Sequence, residues 1–122
     1  MGKPVAVRFE ERGQYSLFDV ACVTEAESEP VQLRDVTCNN FELVPGASFA
    51  PQTHDDKLEV VTAVPQGDTE GPVVRYSDEA DGYAIELAAY DSIVIPRGVQ
   101  HMATNLCDYK VVLIITNFDY VE

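Results

Sequence analysis

The stretch Tyr90-Asp91-Ser92-Ile93-Val94-Ile95-Pro96-Arg97-Gly98-Val99-Gln100-His101-Met102-Ala103-Thr104-Asn105 decides the fold of this chain. Ile93 and Ile95 alternate, as on a strand with one buried face. Proline fixes φ and glycine permits positive φ, so Pro96-Arg97-Gly98 reads as a tight turn between two strands. His101 emerges just beyond that turn and Asn105 follows four residues later. A histidine so placed is a candidate ligand or base at the mouth of a β-structure, and its partners are sought upstream.

The rest of the chain carries the same punctuation. Lys3 to Phe9 alternates, with Val5, Val7 and Phe9 on one face, and Glu10 to Gly13 is a charged turn. Gln14 to Thr24 reads as a second strand and Glu25 to Pro30 as an acidic loop. Val31 to Val44 is a longer β pattern, with a bulge or turn expected at Cys38-Asn39-Asn40. Strands are then expected over 47–53, 58–65, 73–76, 83–87, 92–95, 100–104 and 110–117, the last with the unbroken apolar run Val111 to Ile115. Such a run suits a strand covered on both faces. No segment holds a 3.6-residue period with caps. Short strands at this spacing predict an all-β sandwich or barrel in a single domain over 1–122.

Composition narrows the partners. The chain has 122 residues, of which 46% are hydrophobic, enough for a core. Eight basic residues against 21 acidic ones give a net charge of −13. Phosphate backbones are met by Lys and Arg, so neither nucleic acid nor an anionic membrane is an expected partner. Adaptation to high salt accounts for the acidity equally well. No stretch reads as a membrane span or signal peptide, so a cytoplasmic protein is expected. Cys22, Cys38 and Cys107 lack CxxC spacing and read as free, buried thiols. The acidic runs Asp55-Asp56, Asp68 to Glu70 and Asp78-Glu79 read as solvated loops, without the oxygen spacing of a calcium loop.

Only two histidines exist, His54 and His101. Gln52 and His54 are two apart and share a face if the backbone is extended. Glu59 opens the following strand, and strand pairing would bring it to His54. Two histidines and a carboxylate on one face form the facial arrangement used for Fe(II) and similar ions, with Gln52 as a possible fourth, neutral oxygen. The plainer readings stay open: a core His101 bonded to a carbonyl, a solvated turn His54, a rim Glu59, and a Gln52 that only lines the site. Asn105 reads as a structural hydrogen-bonder. Phe49, Tyr76, Tyr83, Tyr90 and Met102 are candidates for a pocket lining or for plain core. Arg75 and Arg97 are the cations that could meet an anionic ligand.

These two stretches resemble the paired motifs of the cupin superfamily. The first motif has the form Gly-x5-His-x-His, three or four residues, Glu, six residues, Gly. Gly46, His54 and Glu59 match it within residues 46–67, whereas Gln52 stands in place of a histidine and Gln66 in place of the glycine. The second is Gly-x5-Pro-x-Gly-x2-His-x3-Asn, matched over 90–105 by Pro96, Gly98, His101 and Asn105, with Tyr90 in place of the leading glycine. The resemblance implies a six-stranded β-barrel core, a double-stranded β-helix or jelly roll, with extra N-terminal strands and often a homodimer. It also implies a divalent metal (Fe, Mn, Ni or Zn) at the positions of Gln52, His54, Glu59 and His101, with His54, Glu59 and His101 as catalytic residues. A pocket of Phe49, Arg75, Tyr76, Tyr90, Arg97 and Met102 would receive a small oxygenated molecule.

Three activities follow as expectations. The first is a metal-dependent isomerase or epimerase, lyase or dioxygenase. The second rests on a looser similarity to nucleotide-sugar 3,4-ketoisomerases, in Glu11-Arg12-Gly13, Lys57-Leu58-Glu59 and the C-terminal stretch from Val112 to Tyr120. Those enzymes use histidines without a catalytic metal, and the position of Gln52 is a catalytic histidine in that family. The third is a barrel that binds a small ligand without turnover.

Overall fold

The structure, a computed structural model, describes residues 3–12, 32–78 and 82–121. Eight strands stand among these residues: β1 (Val5–Val7), β2 (Leu33–Leu43), β3 (Lys57–Pro65), β4 (Pro72–Asp78), β5 (Tyr83–Ala88), β6 (Ser92–Ile95), β7 (Met102–Asn105) and β8 (Val111–Tyr120). The one helix among them, α1 (Phe9–Arg12), is a single turn. The strand expected over 14–24, the loop over 25–30 and Cys22 lie outside the described residues.

The strands form two antiparallel sheets. One has five strands in the order β1-β6-β3-β8-β2, the other three in the order β5-β4-β7. Isolated bridges Ser48–Thr104 and Gln52–His101 lay the 47–52 segment along β7. This segment is therefore extended but lacks the full ladder expected over 47–53.

Two-residue periodicity sorts the side chains. On β3, Val61 and Ala63 face the three-stranded sheet and pack with Ile93, Leu113, Tyr76, Leu87 and Ala103 into the main core. Leu58 and Val60 face the other way, with Val94, Phe118 and Tyr120, against Val5, Val7 and Leu33. Both faces of β3 are apolar because both are covered, which is the reason its sequence shows no clean alternation. The same holds in part for β8, where Val111 and Leu113 are buried and Val112 and Ile114 half-buried.

Three local expectations differ from the structure. Phe9 is not on β1; it begins α1 and is exposed. The Cys38-Asn39-Asn40 stretch runs straight through β2 in register with β8, and the irregularity falls between Arg34 and Val36, where Asp35 has φ +47°. The register of an edge strand is fixed by its partner, so polar residues inside it need not mark a turn. Cys38 is exposed and Cys107 half-exposed, against the expectation of buried thiols.

The turn after β6 is as its sequence predicts. Gly98 has φ +78°, and its N–H donates to the His54 carbonyl at 2.8 Å. That bond ties the turn of the second motif to the backbone of the first. Tyr90 occupies the position where the motif has glycine and nevertheless adopts φ +67°. A left-handed backbone is thus kept there at the cost a side chain incurs in that region.

Candidate metal centre

Three parts of the chain bring together three side chains that could hold a metal ion. Glu59 is the third residue of β3, flanked by Ile95 of β6 and Asn117 of β8. His101 directly precedes β7 and pairs with Gln52, exchanging backbone bonds of 2.8 and 2.9 Å. His54 lies in the short connection to β3, held by the Gly98 bond. The ligating atoms of His54, Glu59 and His101 all lie within 4.8 Å of one another.

The contacts within this group are specific. His101 Nε2 is 3.1 Å from Glu59 Oε2, and His54 Nε2 is 3.5 Å from Glu59 Oε1. His101 is 1% exposed and Glu59 is buried, while His54 is half-buried. His101 Nδ1 lies 3.2 Å from the Val99 carbonyl, an acceptor only. Nδ1 therefore carries a proton, and Nε2 is turned toward a carboxylate oxygen. Two lone pairs at 3.1 Å need a proton or a cation between them. A proton on His101 would satisfy that contact alone. It would leave His54 Nε2, which is buried and has no hydrogen-bond partner. Leaving such a group unpaired costs about 1–3 kcal/mol.

A divalent ion answers all three groups together. Metal–nitrogen and metal–oxygen bonds of about 2.0–2.2 Å place neighbouring donors on a tetrahedral or octahedral shell about 3.0–3.5 Å apart, as the two contacts to Glu59 are. Two neutral imidazoles and one carboxylate also leave a divalent ion with net positive charge. The residues present thus fit such an ion.

The surroundings are aromatic. The Phe49 ring lies 6.3 Å and the Tyr76 ring 6.2 Å from that of His101, and the two histidine rings are 5.3 Å apart. Tyr76 is buried, and burial pushes its phenol well above the usual value, with the Glu59 charge and then Tyr83 adding to the effect. Asn105 is fully engaged away from the centre. Its Nδ2 donates to the Leu43 carbonyl at 2.9 Å and the Tyr109 carbonyl at 2.8 Å, and its Oδ1 accepts from Cys107 N at 2.9 Å. It is structural, as its sequence position suggests.

Other expected lining residues lie elsewhere. Arg75 alternates with the inward Tyr76, so it faces outward, where it pairs with Glu86 at 3.6 Å. Met102 lies between the buried His101 and Ala103 and shares that outer face. Arg97 places its guanidinium 4.3 Å above the ring of Tyr120, a residue of the outer cluster of the five-stranded sheet. Tyr90 is 47% exposed, and its N–H donates to the Ala63 carbonyl. Ala63 is four residues along β3 from Glu59, roughly 13 Å at the rise of a strand. Gln52 is exposed, and its bridge sets it opposite His101. Asn117 stands opposite Glu59 only through the β3–β8 register, which nothing local in the sequence marks.

No protein-family profile matches this sequence, and neither does any curated protein. Solved structures do. A predicted oxalate decarboxylase from Thermotoga maritima is 14% identical over 98% of this chain and 94% of its own, with a TM-score of 0.56. An uncharacterized conserved protein with a double-stranded β-helix domain from Klebsiella pneumoniae is 17% identical over 90% of this chain and 97% of its own, with a TM-score of 0.57. An oxalate oxidase in complex with the substrate analogue glycolate is 20% identical over 70% of this chain, with a TM-score of 0.55, and this chain spans only 42% of it. Two facing antiparallel sheets agree with that likeness: this chain has a double-stranded β-helix fold.

Proposed function

We propose that this protein is a metal-dependent enzyme acting on a small oxygenated molecule, with His54, Glu59 and His101 as the ligands of a divalent ion. The observation that carries the reading is the convergence of three donors: His54 Nε2, buried without a hydrogen-bond partner, and His101 Nε2 both face the Glu59 carboxylate. When bound, the ion supplies a Lewis acid for a carbonyl, carboxylate or enolate oxygen.

The chain's own residues do the rest. The bond from His101 Nδ1 to Val99 fixes the ring's orientation. Phe49 and Tyr76 set aromatic rings beside His101. The Tyr76 phenol keeps its proton across the neutral range, so it is a donor and not an anion. Charge defines the substrate class. Arg75 is paired on the outer face, Arg97 covers Tyr120, and Lys57 Nζ is 3.2 Å from Asp119. The ion itself would then be the positive charge that meets a substrate anion. That favours a small hydroxy or keto acid, a class to which glycolate belongs, over a nucleotide diphosphate sugar. The ketoisomerase reading loses support for the same reason, and because Gln52 stands where that family has its histidine.

The test is turnover. Metal-loaded protein is incubated with small hydroxy and keto acids in D₂O while NMR follows exchange of the carbon-bound proton and an electrode follows O₂. The expected result is exchange, rearrangement or O₂ uptake with at least one acid, abolished by a chelator and restored by the metal. A ligand that binds and returns unchanged under both readouts would instead make the protein a binding module.

A further inference from the structure

Asn117 is the second described residue with a buried polar side-chain atom that has no partner: its Oδ1 is shielded from solvent and accepts no hydrogen bond. The other such atom is His54 Nε2. Asn117 stands directly opposite Glu59 in the antiparallel β3–β8 ladder, and directly opposed residues project to the same face. That face is the inner one, since Leu113 and Ile115 at the same two-residue spacing pack into the core between the sheets. Neighbouring side chains in such a pair have Cβ atoms about 4.5–5.5 Å apart.

Resting on the proposed metal centre, we infer that the Asn117 amide oxygen is a fourth donor to the ion held by His54, Glu59 and His101. All four groups offer lone pairs, and what they lack in common is a Lewis acid. The first motif leaves one position short, because Gln52 replaces a histidine. Gln52 is exposed, whereas Asn117 presents a buried oxygen from the position opposite Glu59. An amide oxygen is a harder ligand than imidazole, so the resulting two-nitrogen, two-oxygen set shifts preference toward Mn(II), Fe(II) and Co(II) and away from softer sites.

The experiment is Co(II) and Mn(II) titration of the full chain by calorimetry, with the Co(II) visible spectrum as a second readout. The variants are Asn117→Leu, which keeps the shape and removes the donor, Asn117→Asp, and Gln52→Leu. The expected result is at least tenfold weaker binding and a changed Co(II) spectrum in Asn117→Leu. Asn117→Asp binds as tightly as the wild type or more so, and Gln52→Leu stays within about threefold of it. Wild-type binding with Asn117→Leu unchanged overturns the inference and leaves the metal centre standing. So does loss of affinity in Gln52→Leu instead. A wild-type protein that binds neither ion removes the metal centre itself. Should Asn117→Leu fail to fold, Asn117→Asp decides, because weaker binding by the added carboxylate contradicts a ligand at this position.

Discussion

At the scale of single residues, the centre is built from atoms that have nowhere else to bond. His101 commits one nitrogen to Val99 and offers the other to Glu59, and His54 offers a buried nitrogen to the same carboxylate. Tyr76 shows how strongly the surroundings exclude charge. Its phenol is raised well above the usual value, first by burial and then by Glu59. The sign of the resulting pH dependence follows. The unfolded tyrosine ionises near pH 10, while the folded one holds its proton. Below that pH the two states bind the same proton and Tyr76 adds no slope. Above it only the unfolded state gains by ionising, so stability falls by about 1.4 kcal/mol per pH unit from this group. Urea unfolding between pH 9 and 11.5 should show a shallower decline in Tyr76→Phe than in the wild type. Equal slopes would mean that the ring is accessible to solvent and base. The convergence of His54, Glu59 and His101 was legible in the sequence because their spacing is fixed by two short turns. Asn117 was not, since nothing local marks it. Its place depends on how a strand 58 residues away is registered against it.

At the scale of elements, the motif turns were legible and the lining was not. Pro96 and Gly98 announce their backbone geometry chemically, and Gly98 has the positive φ they imply. Which face a side chain takes is set by pairing, so Arg75 and Met102 could be placed on strands but not on faces. Arg97 and Tyr90 lie in turns, where no period applies. The N-terminal segment follows similar logic. Asp91 is buried, and its carboxylate accepts from Phe9 N at 2.9 Å, Ala88 N at 2.9 Å and Arg8 Nη1 at 3.1 Å. It joins β1 and α1 to the turn between β5 and β6, far from the metal centre. Removing a buried carboxylate that satisfies two backbone donors leaves both unpaired, at about 1–3 kcal/mol each. Asp91→Ala is therefore expected to lower unfolding free energy by about 2–4 kcal/mol in urea titration. Co(II) affinity should be unchanged in that variant while it stays folded. A stability loss under 0.5 kcal/mol would show that β1 is held by its ladder to β6 alone.

At the scale of the molecule, fold and charge act together. The histidines converge on Glu59 because both motif segments are extended and adjacent. The all-β class was legible from punctuation alone, and the tie between the motifs from two turns. The division into five and three strands was not, since it is a matter of pairing over long sequence separations. With a net charge of −13 the whole chain attracts cations, so divalent-ion binding at the proposed centre should weaken as salt rises. The most direct measurement is elemental analysis of purified wild type, His101→Ala and Glu59→Gln after equilibration with a Mn, Fe, Co, Ni and Zn mixture and gel filtration. The expected result is close to one divalent ion per wild-type chain and a tenth of that or less in both variants. Wild-type protein without metal, or equal metal in all three proteins, would contradict it.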